Sequence, residues 1–178
     1  MLRTLGMNKF SIKVFLQDSL AGHETSFKQA SYDDAKKQYL CQDRRTTDVY
    51  DFDGYVQENF PKHYLPASPD AIHIGKKNLY CIEFKNQQAG SIDSKSIQSK
   101  FRSGTAILQG MLDGFTARDC YYHFYVVCKA PNQPRFFDHR HFERSTVRFG
   151  LEAINKELGG FYHRMLAEDV EFFKNEFP

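Results

Sequence analysis

Apolar residues recur along the chain with two spacings, and these spacings predict where strands and helices lie. Segment 10–17 alternates in part between apolar and polar residues, which predicts a strand. Segment 23–43 is polar with an irregular apolar stripe, and we expect a helix there. Over 47–60 the apolar residues return at helical spacing, which predicts a second helix.

The middle of the chain carries the clearest patterns. Residues 70–74 alternate in polarity, and residues 79–85 are rich in aromatic and β-branched side chains, which favour strands. The sequence GKKN at 75–78 is typical of a turn, so the two strands should form a hairpin. Apolar residues at helical spacing predict a helix over 91–115. The long apolar run at 120–130 predicts a strand inside a sheet.

The order of these elements predicts a mixed α/β protein, with one central sheet flanked by helices. We expect a single domain over 1–178, with its core at about 20–130. The end of the chain, from about 145 to 178, has a helical pattern interrupted at Gly159 and Gly160. This pattern predicts a helical C-terminal extension.

Composition narrows the class of protein without identifying a function. Hydrophobic residues make up 41% and charged residues 26% of 178 residues, as in ordinary globular domains. A net charge of +2 gives no overall electrostatic argument for nucleic acid, although a local basic patch is compatible with it. The N-terminal region lacks an apolar run long enough for a signal peptide or a membrane span, and the four cysteines form no C-x-x-C pair. We therefore expect a cytoplasmic protein with no membrane partner.

Three charged residues stand at one end of the predicted hairpin, where apolar residues would be easier to bury. Asp70 and Glu83 lie 13 positions apart, so a turn at 75–78 places them opposite each other. Their Cβ atoms should then be about 4.5–5.5 Å apart. Lys85 follows Glu83 by two positions and therefore points to the same face of the strand. Two converging carboxylates attract a hard divalent cation such as Mg²⁺ or Mn²⁺, and the lysine can act on an attacking water or on a phosphate.

The hairpin resembles the PD-(D/E)xK nuclease superfamily, which has the restriction-endonuclease-like fold. The likeness rests on Pro69–Asp70 at the start of one strand and on Glu83–Lys85, sequence EFK, on the next. The helix and strand that follow occur in the same order as in that family. The resemblance extends over residues 68–130.

The resemblance implies a role for each of these residues. Asp70 and Glu83 would bind Mg²⁺ or Mn²⁺ together with the backbone carbonyl of Phe84, and Lys85 would be the catalytic lysine. Many family members add an upstream acidic ligand. Six acidic residues compete for this role, of which Glu58 and Asp53 are nearest in sequence: Glu24, Asp33, Asp34, Asp51, Asp53 and Glu58.

Two branches of the family have further markers. Cap-snatching viral endonucleases use an upstream helical histidine, a role that His23 could fill. Exonuclease members often carry a Gln followed four residues later by Tyr in the helix after the E-x-K motif. Gln98 and Gln109 lack that Tyr, which weakens an exonuclease assignment.

Several polar and basic residues are candidates for contact with nucleic acid. Segment 129–150 interleaves arginines with phenylalanines, as in single-stranded nucleic-acid binding, but a solvated loop with phenylalanines anchored in the core is the favoured explanation. Lys95, Lys100 and Arg102 begin the helix after the hairpin, close to the predicted site. The full set of candidates is Gln87, Lys95, Lys100, Arg102, Arg140 and Arg144.

The sequence therefore predicts a metal-dependent hydrolase of phosphodiester bonds, either an endonuclease or an exonuclease. DNA is favoured over RNA because most of the superfamily acts on DNA. Two alternatives stay open: an inactive nucleic-acid-binding or protein-interaction module on the same fold, and a nuclease toxin or defence effector. Assembly as a homodimer also stays open.

Overall fold

A six-stranded mixed β-sheet forms the centre of the structure, a computed structural model that describes residues 11–116, 119–130 and 149–177. The strands are β1 (Glu24–Ser26), β2 (Tyr32–Asp33), β3 (Gln38–Tyr39), β4 (Asp48–Asp51), β5 (Ala71–Ile74), β6 (Asn78–Lys85), β7 (Tyr121–Cys128) and β8 (Arg164–Asp169). The sheet has the spatial order β1–β4–β5–β6–β7–β8, and β2 and β3 form a separate hairpin. Strands β1 to β6 of the sheet pair antiparallel, whereas β6, β7 and β8 run parallel.

Helices cover both faces of this sheet, which confirms the predicted mixed α/β architecture. They are α1 (Ile12–Leu16), α2 (Phe27–Ala30), α3 (Phe52–Asn59), α4 (Ser94–Met111), α5 (Leu151–Glu157) and α6 (Val170–Glu176). Short 3₁₀ turns occur at Lys62–Tyr64 and Ala89–Ser91. Across the described ranges, no helix combines the length and the apolar composition that a membrane crossing requires.

The alternation of side chains along the strands divides the core into two layers. Ile72 of β5 and Phe124 of β7 pack beneath α1, α3, α4 and α5 on one face. Ala71 and Tyr125, one position away on each strand, belong to the other layer, against α2 and α6. Because residues two apart share a face, Glu83 belongs to the layer covered by α4.

The predicted hairpin is confirmed, together with its register. Ala71 pairs with Ile82 and Ile72 pairs with Cys81. Continuing this register by one residue places Asp70 opposite Glu83. The start of β5 and the end of β6 therefore bring the two carboxylates together.

The helix and strand that follow the hairpin also lie where the sequence predicts them. The Asp93 side chain caps α4 by accepting hydrogen bonds from the backbone N–H groups of Lys95 and Ser96. Strand β7 lies between β6 and β8, inside the sheet. Helix α4 thus connects two parallel neighbouring strands and crosses the face that carries Glu83.

The strand predicted over 10–17 is wrong, because the described part of this segment contains helix α1. Ile12, Phe15 and Leu16 are buried, and this spacing of three and four residues is that of a helical face. The Ser11 hydroxyl accepts the backbone N–H of Val14 and caps the helix start. Packing of this face against the core outweighs the partial alternation that suggested a strand.

The single helix predicted over 23–43 is also wrong, and the helix predicted over 47–60 begins later than expected. The first segment forms β1, the one-turn α2 and the β2–β3 hairpin. The Asp33 carboxylate accepts the backbone N–H groups of Ala35 and Lys36, a local arrangement that competes with helix formation.

In the segment 47–60, β4 precedes α3, and the Asp51 carboxylate caps α3 by accepting the backbone N–H of Gly54.

The C-terminal region is not wholly helical, because it supplies strand β8 to the sheet. The predicted interruption at Gly159 and Gly160 is present, and both have positive φ angles. Strand β8 follows and pairs parallel with β7 over six residues. Its sequence RMLAED lacks the β-branched and aromatic residues that would have indicated a strand, so pairing with β7 determines its conformation.

Close packing of α4 against the loop before β5 fixes the position of Asp70. Gly104 is buried, and a Cβ atom added there would lie 2.5 Å from Cδ of Pro69. We expect Gly104→Ala to destabilise the protein by about 1–3 kcal/mol, since neither the proline ring nor the helix backbone can move freely. Chemical denaturation measures this change.

Gly110 in the same helix provides the matched control, because an added Cβ atom there meets no atom within 4 Å. We expect Gly110→Ala to be neutral or to stabilise the protein by up to about 1 kcal/mol. Equal effects of the two substitutions would contradict the close contact between α4 and Pro69.

Candidate active site

Four charged side chains from three elements meet at one end of the β5–β6 hairpin. Asp70 immediately precedes β5, and Glu83 and Lys85 lie near the end of β6. Lys100, from the second turn of α4, reaches down to both carboxylates. The structure therefore brings together the three residues predicted from the hairpin and adds a fourth.

Asp70 is held in place through both its side chain and its backbone. Its Oδ2 atom accepts the backbone N–H of Phe84 at 2.7 Å. Its backbone carbonyl accepts the N–H of Phe52, the first residue of α3, at 3.1 Å. These bonds fix the carboxylate beside β6 and leave Oδ1 facing Lys100.

Glu83 is the most deeply buried charged residue of this group, with 0% of its side chain exposed. Its Oε1 atom lies 2.9 Å from Nζ of Lys85 and 2.8 Å from Nζ of Lys100. Burial raises the pKa of Glu83 to about 7, and the nearby Asp70 carboxylate adds to this rise. The two ammonium groups oppose it by favouring the ionised form.

Lys100 bridges the two carboxylates. Its Nζ atom lies 3.1 Å from Oδ1 of Asp70 and within 2.9 Å of both oxygens of Glu83. Burial opposes its charge, but attraction by the two carboxylates outweighs burial and raises the pKa of Lys100 above its ordinary value. Burial also raises the pKa of Asp70, against the attraction of Lys100. All four groups therefore depend on one another for charge compensation.

This cluster lies on the wall of an open cleft with a volume of about 650 Å³. The opposite wall is formed by α2, β2 and the turn after it, including Gln29 and Lys36. Lys36 donates a hydrogen bond to the backbone carbonyl of Asn86, just after β6, and so ties the two walls together. Further acidic residues line the same cleft: Asp33, Asp34, Asp51 and Asp53.

The candidates for an upstream acidic ligand separate by position. Asp53 lines the cleft, and its carboxylate accepts hydrogen bonds from Ser68 and Gln57, each at 2.6 Å. The side chain of Glu58 is 74% exposed, lies outside the cleft lining and pairs with His23 at 3.4 Å. The structure thus places Asp53, like Asp33, Asp34 and Asp51, in the lining of the cleft that holds the cluster, and leaves Glu58 and His23 outside that lining.

The predicted nucleic-acid contacts are dispersed. Gln87 and Lys100 line the cleft. Lys95 is exposed in the first turn of α4, and Arg102 forms an ion pair of 2.7 Å with Glu157 of α5. Arg140 and Arg144 lie outside the described residues.

Sequence reasoning assigned Lys100 to phosphate contact and missed its bridge between the carboxylates. A signal was present in α4, because Ile97, Lys100 and Gly104 share one helical face and Ile97 and Gly104 are buried. A lysine inside a buried stripe needs a partner, since an unpaired buried charge is costly. The identity of the partner could not be deduced without knowing how α4 crosses the hairpin.

The donor atoms suit a hard divalent cation only in part. Asp70 and Glu83 offer carboxylate oxygens. The Phe84 ring packs against Phe27, at a centroid distance of 4.9 Å. Among the described residues, however, no group of three or more His, Cys, Asp and Glu side chains is arranged to hold a metal. The Lys100 ammonium takes the position between Asp70 and Glu83, within 3.1 Å of both carboxylates.

Comparisons of the chain with protein-family models, with curated proteins and with solved structures find no match. Interpretation of the site therefore depends on its own chemistry and geometry.

The charge balance of the cluster predicts a large effect of removing Lys100. We expect Lys100→Met, which keeps most of the side-chain stem, to destabilise the protein by about 3 kcal/mol because it leaves buried carboxylates undercompensated. Urea unfolding measures the loss. Lys174→Met removes the surface ion pair with Glu171 and should cost less than about 1 kcal/mol. Similar losses in the two variants would show that the cluster does not depend on Lys100.

A second buried carboxylate lies on the other face of the sheet, outside this cluster. Glu168 is 7% exposed, and its Oε2 atom has no hydrogen-bond partner within the part of the chain that the structure describes. Burial, with the charge of Asp169, raises the pKa of Glu168 from 4.5 to about 7. Between these two pH values the folded protein keeps a proton that the unfolded chain has lost.

The contribution of Glu168 to stability should therefore fall as the pH rises from about 4.5 to 7. We expect Glu168→Gln to be more stable than the wild type by about 1–3 kcal/mol at pH 8, with a smaller difference at pH 5. Urea unfolding at both pH values tests this. As a control, Glu152→Gln replaces an exposed carboxylate and should change stability by less than about 0.5 kcal/mol at each pH. A Glu168→Gln difference independent of pH would contradict the raised pKa.

Proposed function

We propose that this protein is a Mg²⁺- or Mn²⁺-dependent nuclease with a restriction-endonuclease-like fold, and that it hydrolyses phosphodiester bonds. The observation that carries the proposal is the convergence of Asp70, Glu83 and Lys85 at one end of the hairpin, on the wall of an open cleft. Structural ion pairs alone do not require access to a cleft, whereas a hydrolytic site does.

The sheet topology supports the same proposal. An antiparallel hairpin carries the two motifs, and α4 then leads to β7, which is parallel to the second hairpin strand. This is the order of elements that the resemblance implies. The preference for DNA as the substrate rests only on the resemblance to the superfamily.

Each residue has a distinct task in the proposed reaction. Asp70 and Glu83 would hold the cation with the Phe84 carbonyl, and the backbone N–H of Phe84 orients Asp70. A bound divalent cation supplies Lewis-acid polarisation of a phosphoryl oxygen. Lys85, 23% exposed and 2.9 Å from Glu83, is placed to position the attacking water or to offset phosphate charge. Asp53 is one of four upstream acids that line the cleft, with Asp33, Asp34 and Asp51.

One observation favours a second candidate, an inactive binding module on the same fold. Lys85 and Lys100 already compensate Asp70 and Glu83, so the cluster is electrically balanced without a metal. In that case the cleft would bind a partner without cleaving it.

A cleavage assay separates the two candidates. We expect plasmid DNA to be cut in the presence of Mg²⁺ or Mn²⁺ and to stay intact with EDTA, with RNA tested in parallel. Glu83→Ala and Lys85→Ala should each lower the cleavage rate by at least about a hundredfold, because they remove a metal ligand and the catalytic lysine. Cleavage that persists in EDTA, or in both variants, would exclude this site. Binding without cleavage under any metal condition would support the inactive module.

The upstream acid can be tested with a matched pair from α3. Asp53→Asn changes a carboxylate that lines the cleft, and we expect it to slow cleavage. Glu58→Gln changes an exposed carboxylate of the same helix outside the cleft lining, and cleavage should stay at the wild-type rate. The reverse result would assign the role to Glu58.

A further inference from the structure

Lys100 occupies the one position that both carboxylates of the cluster face. Its Nζ atom lies 3.1 Å from Oδ1 of Asp70, 2.8 Å from Oε1 of Glu83 and 2.9 Å from Oε2 of Glu83. A divalent cation bound by the same oxygens would stand about 2.0–2.6 Å from them. An ammonium and a metal ion cannot share this space.

We propose that Lys100 and a divalent cation exclude each other at Asp70 and Glu83, and that metal loading releases the Lys100 ammonium into the cleft. This inference rests on the proposed function, because it concerns the same metal site. It assigns Lys100 two roles. In the metal-free protein Lys100 is the counter-ion of the carboxylates, and in the metal-bound protein it contacts phosphate.

Charge compensation makes the exchange reasonable. Glu83 is fully buried, and without a cation it would be repelled by Asp70. Lys100 removes this repulsion in the metal-free protein, and a divalent cation would remove it in the loaded protein. At either stage the buried carboxylates have a positive partner, so neither state carries an uncompensated pair of negative charges.

The surroundings of Lys100 determine where its ammonium can go. Toward the sheet, α4 packs Ile97 and Phe101 into the apolar core, which excludes a charge. The Lys100 side chain is 22% exposed and lines the cleft, so the cleft is the open direction. The four-carbon stem of Lys100 is flexible, so the side chain can change rotamer while the contact of Gly104 with Pro69 holds α4 in place. A released ammonium therefore points to where a phosphate of the substrate would lie.

Competition makes a specific prediction for metal affinity. We expect Lys100→Met to bind Mn²⁺ at least about tenfold more tightly than the wild type, because it removes the ammonium that competes for both carboxylates. A neighbouring opposite charge changes the proton affinity of a carboxylate by about tenfold or more, and the same electrostatic attraction acts on a metal ion. Isothermal titration calorimetry with the full chain and Mn²⁺ alone measures this. Lys95→Met is the matched control from the exposed side of α4 and should bind Mn²⁺ as the wild type does. Equal or weaker binding by Lys100→Met would overturn the proposal.

A measurement on the wild-type protein covers the case in which Lys100→Met does not fold. Lysines are acetylated with an amine-reactive ester, with and without saturating Mn²⁺, and the modified sites are quantified by mass spectrometry. We expect Lys100 to become several-fold more reactive with Mn²⁺ because its ammonium leaves the carboxylates, whereas Lys95 should not change. Unchanged or lower reactivity of Lys100 at Mn²⁺ saturation would overturn the proposal.

The outcomes distinguish this inference from the proposed function. Tighter Mn²⁺ binding by Lys100→Met without any cleavage by the wild type would uphold the exchange and reject the nuclease. Mn²⁺ binding with cleavage, but with no effect of Lys100→Met and no change in Lys100 reactivity, would uphold the nuclease and reject the exchange. Absence of Mn²⁺ binding in both proteins would reject both.

Discussion

The buried carboxylate of Glu83 is the constraint on which the rest of the site depends. A carboxylate with no exposure needs positive partners close by, because the free energy of removing its charge from water is large. Lys85 on the same strand supplies one partner, and Lys100 on α4 supplies the other. Since the second partner comes from a different element, α4 must lie close to the hairpin. The contact of Gly104 with Pro69 is the packing that permits this.

The position of β6 in the sheet explains why Glu83 is so well enclosed. Strand β6 pairs antiparallel with β5 on one side and parallel with β7 on the other, and α4 covers the face between them. An edge strand would have left the same carboxylate in water, where an ion pair with lysine contributes little. Residues at the end of the hairpin line the open cleft, while α4 covers the core side of the cluster. This combination of enclosure and access suits chemistry on a charged substrate.

The sequence predicted the parts of the fold whose patterns are strong and local. The β5–β6 hairpin with its register, α4 and β7 follow from polarity and turn residues alone. Helix α1 and strand β8 could not be predicted, because partners distant in the chain determine their conformation. The site shows the same limit. The two-residue repeat of a strand predicts that Glu83 and Lys85 share a face, but the role of Lys100 depends on the way α4 crosses the sheet. Only the orientation of α3 shows that Asp53 lines the cleft and that Glu58 does not.

A buried ion-pair cluster is weak evidence for stability, because well-packed apolar residues of similar size often stabilise a core as well or better. Stability alone therefore explains poorly why two carboxylates and two lysines lie together beside a cleft. Exchange between Lys100 and a divalent cation provides an explanation, since the carboxylates then serve as a binding site that is kept compensated while it is empty of metal. In the proposed exchange, the lysine that stabilises the metal-free state would be released into the cleft that it lines. On this reasoning, the charge that appears structural in α4 belongs to the functional site.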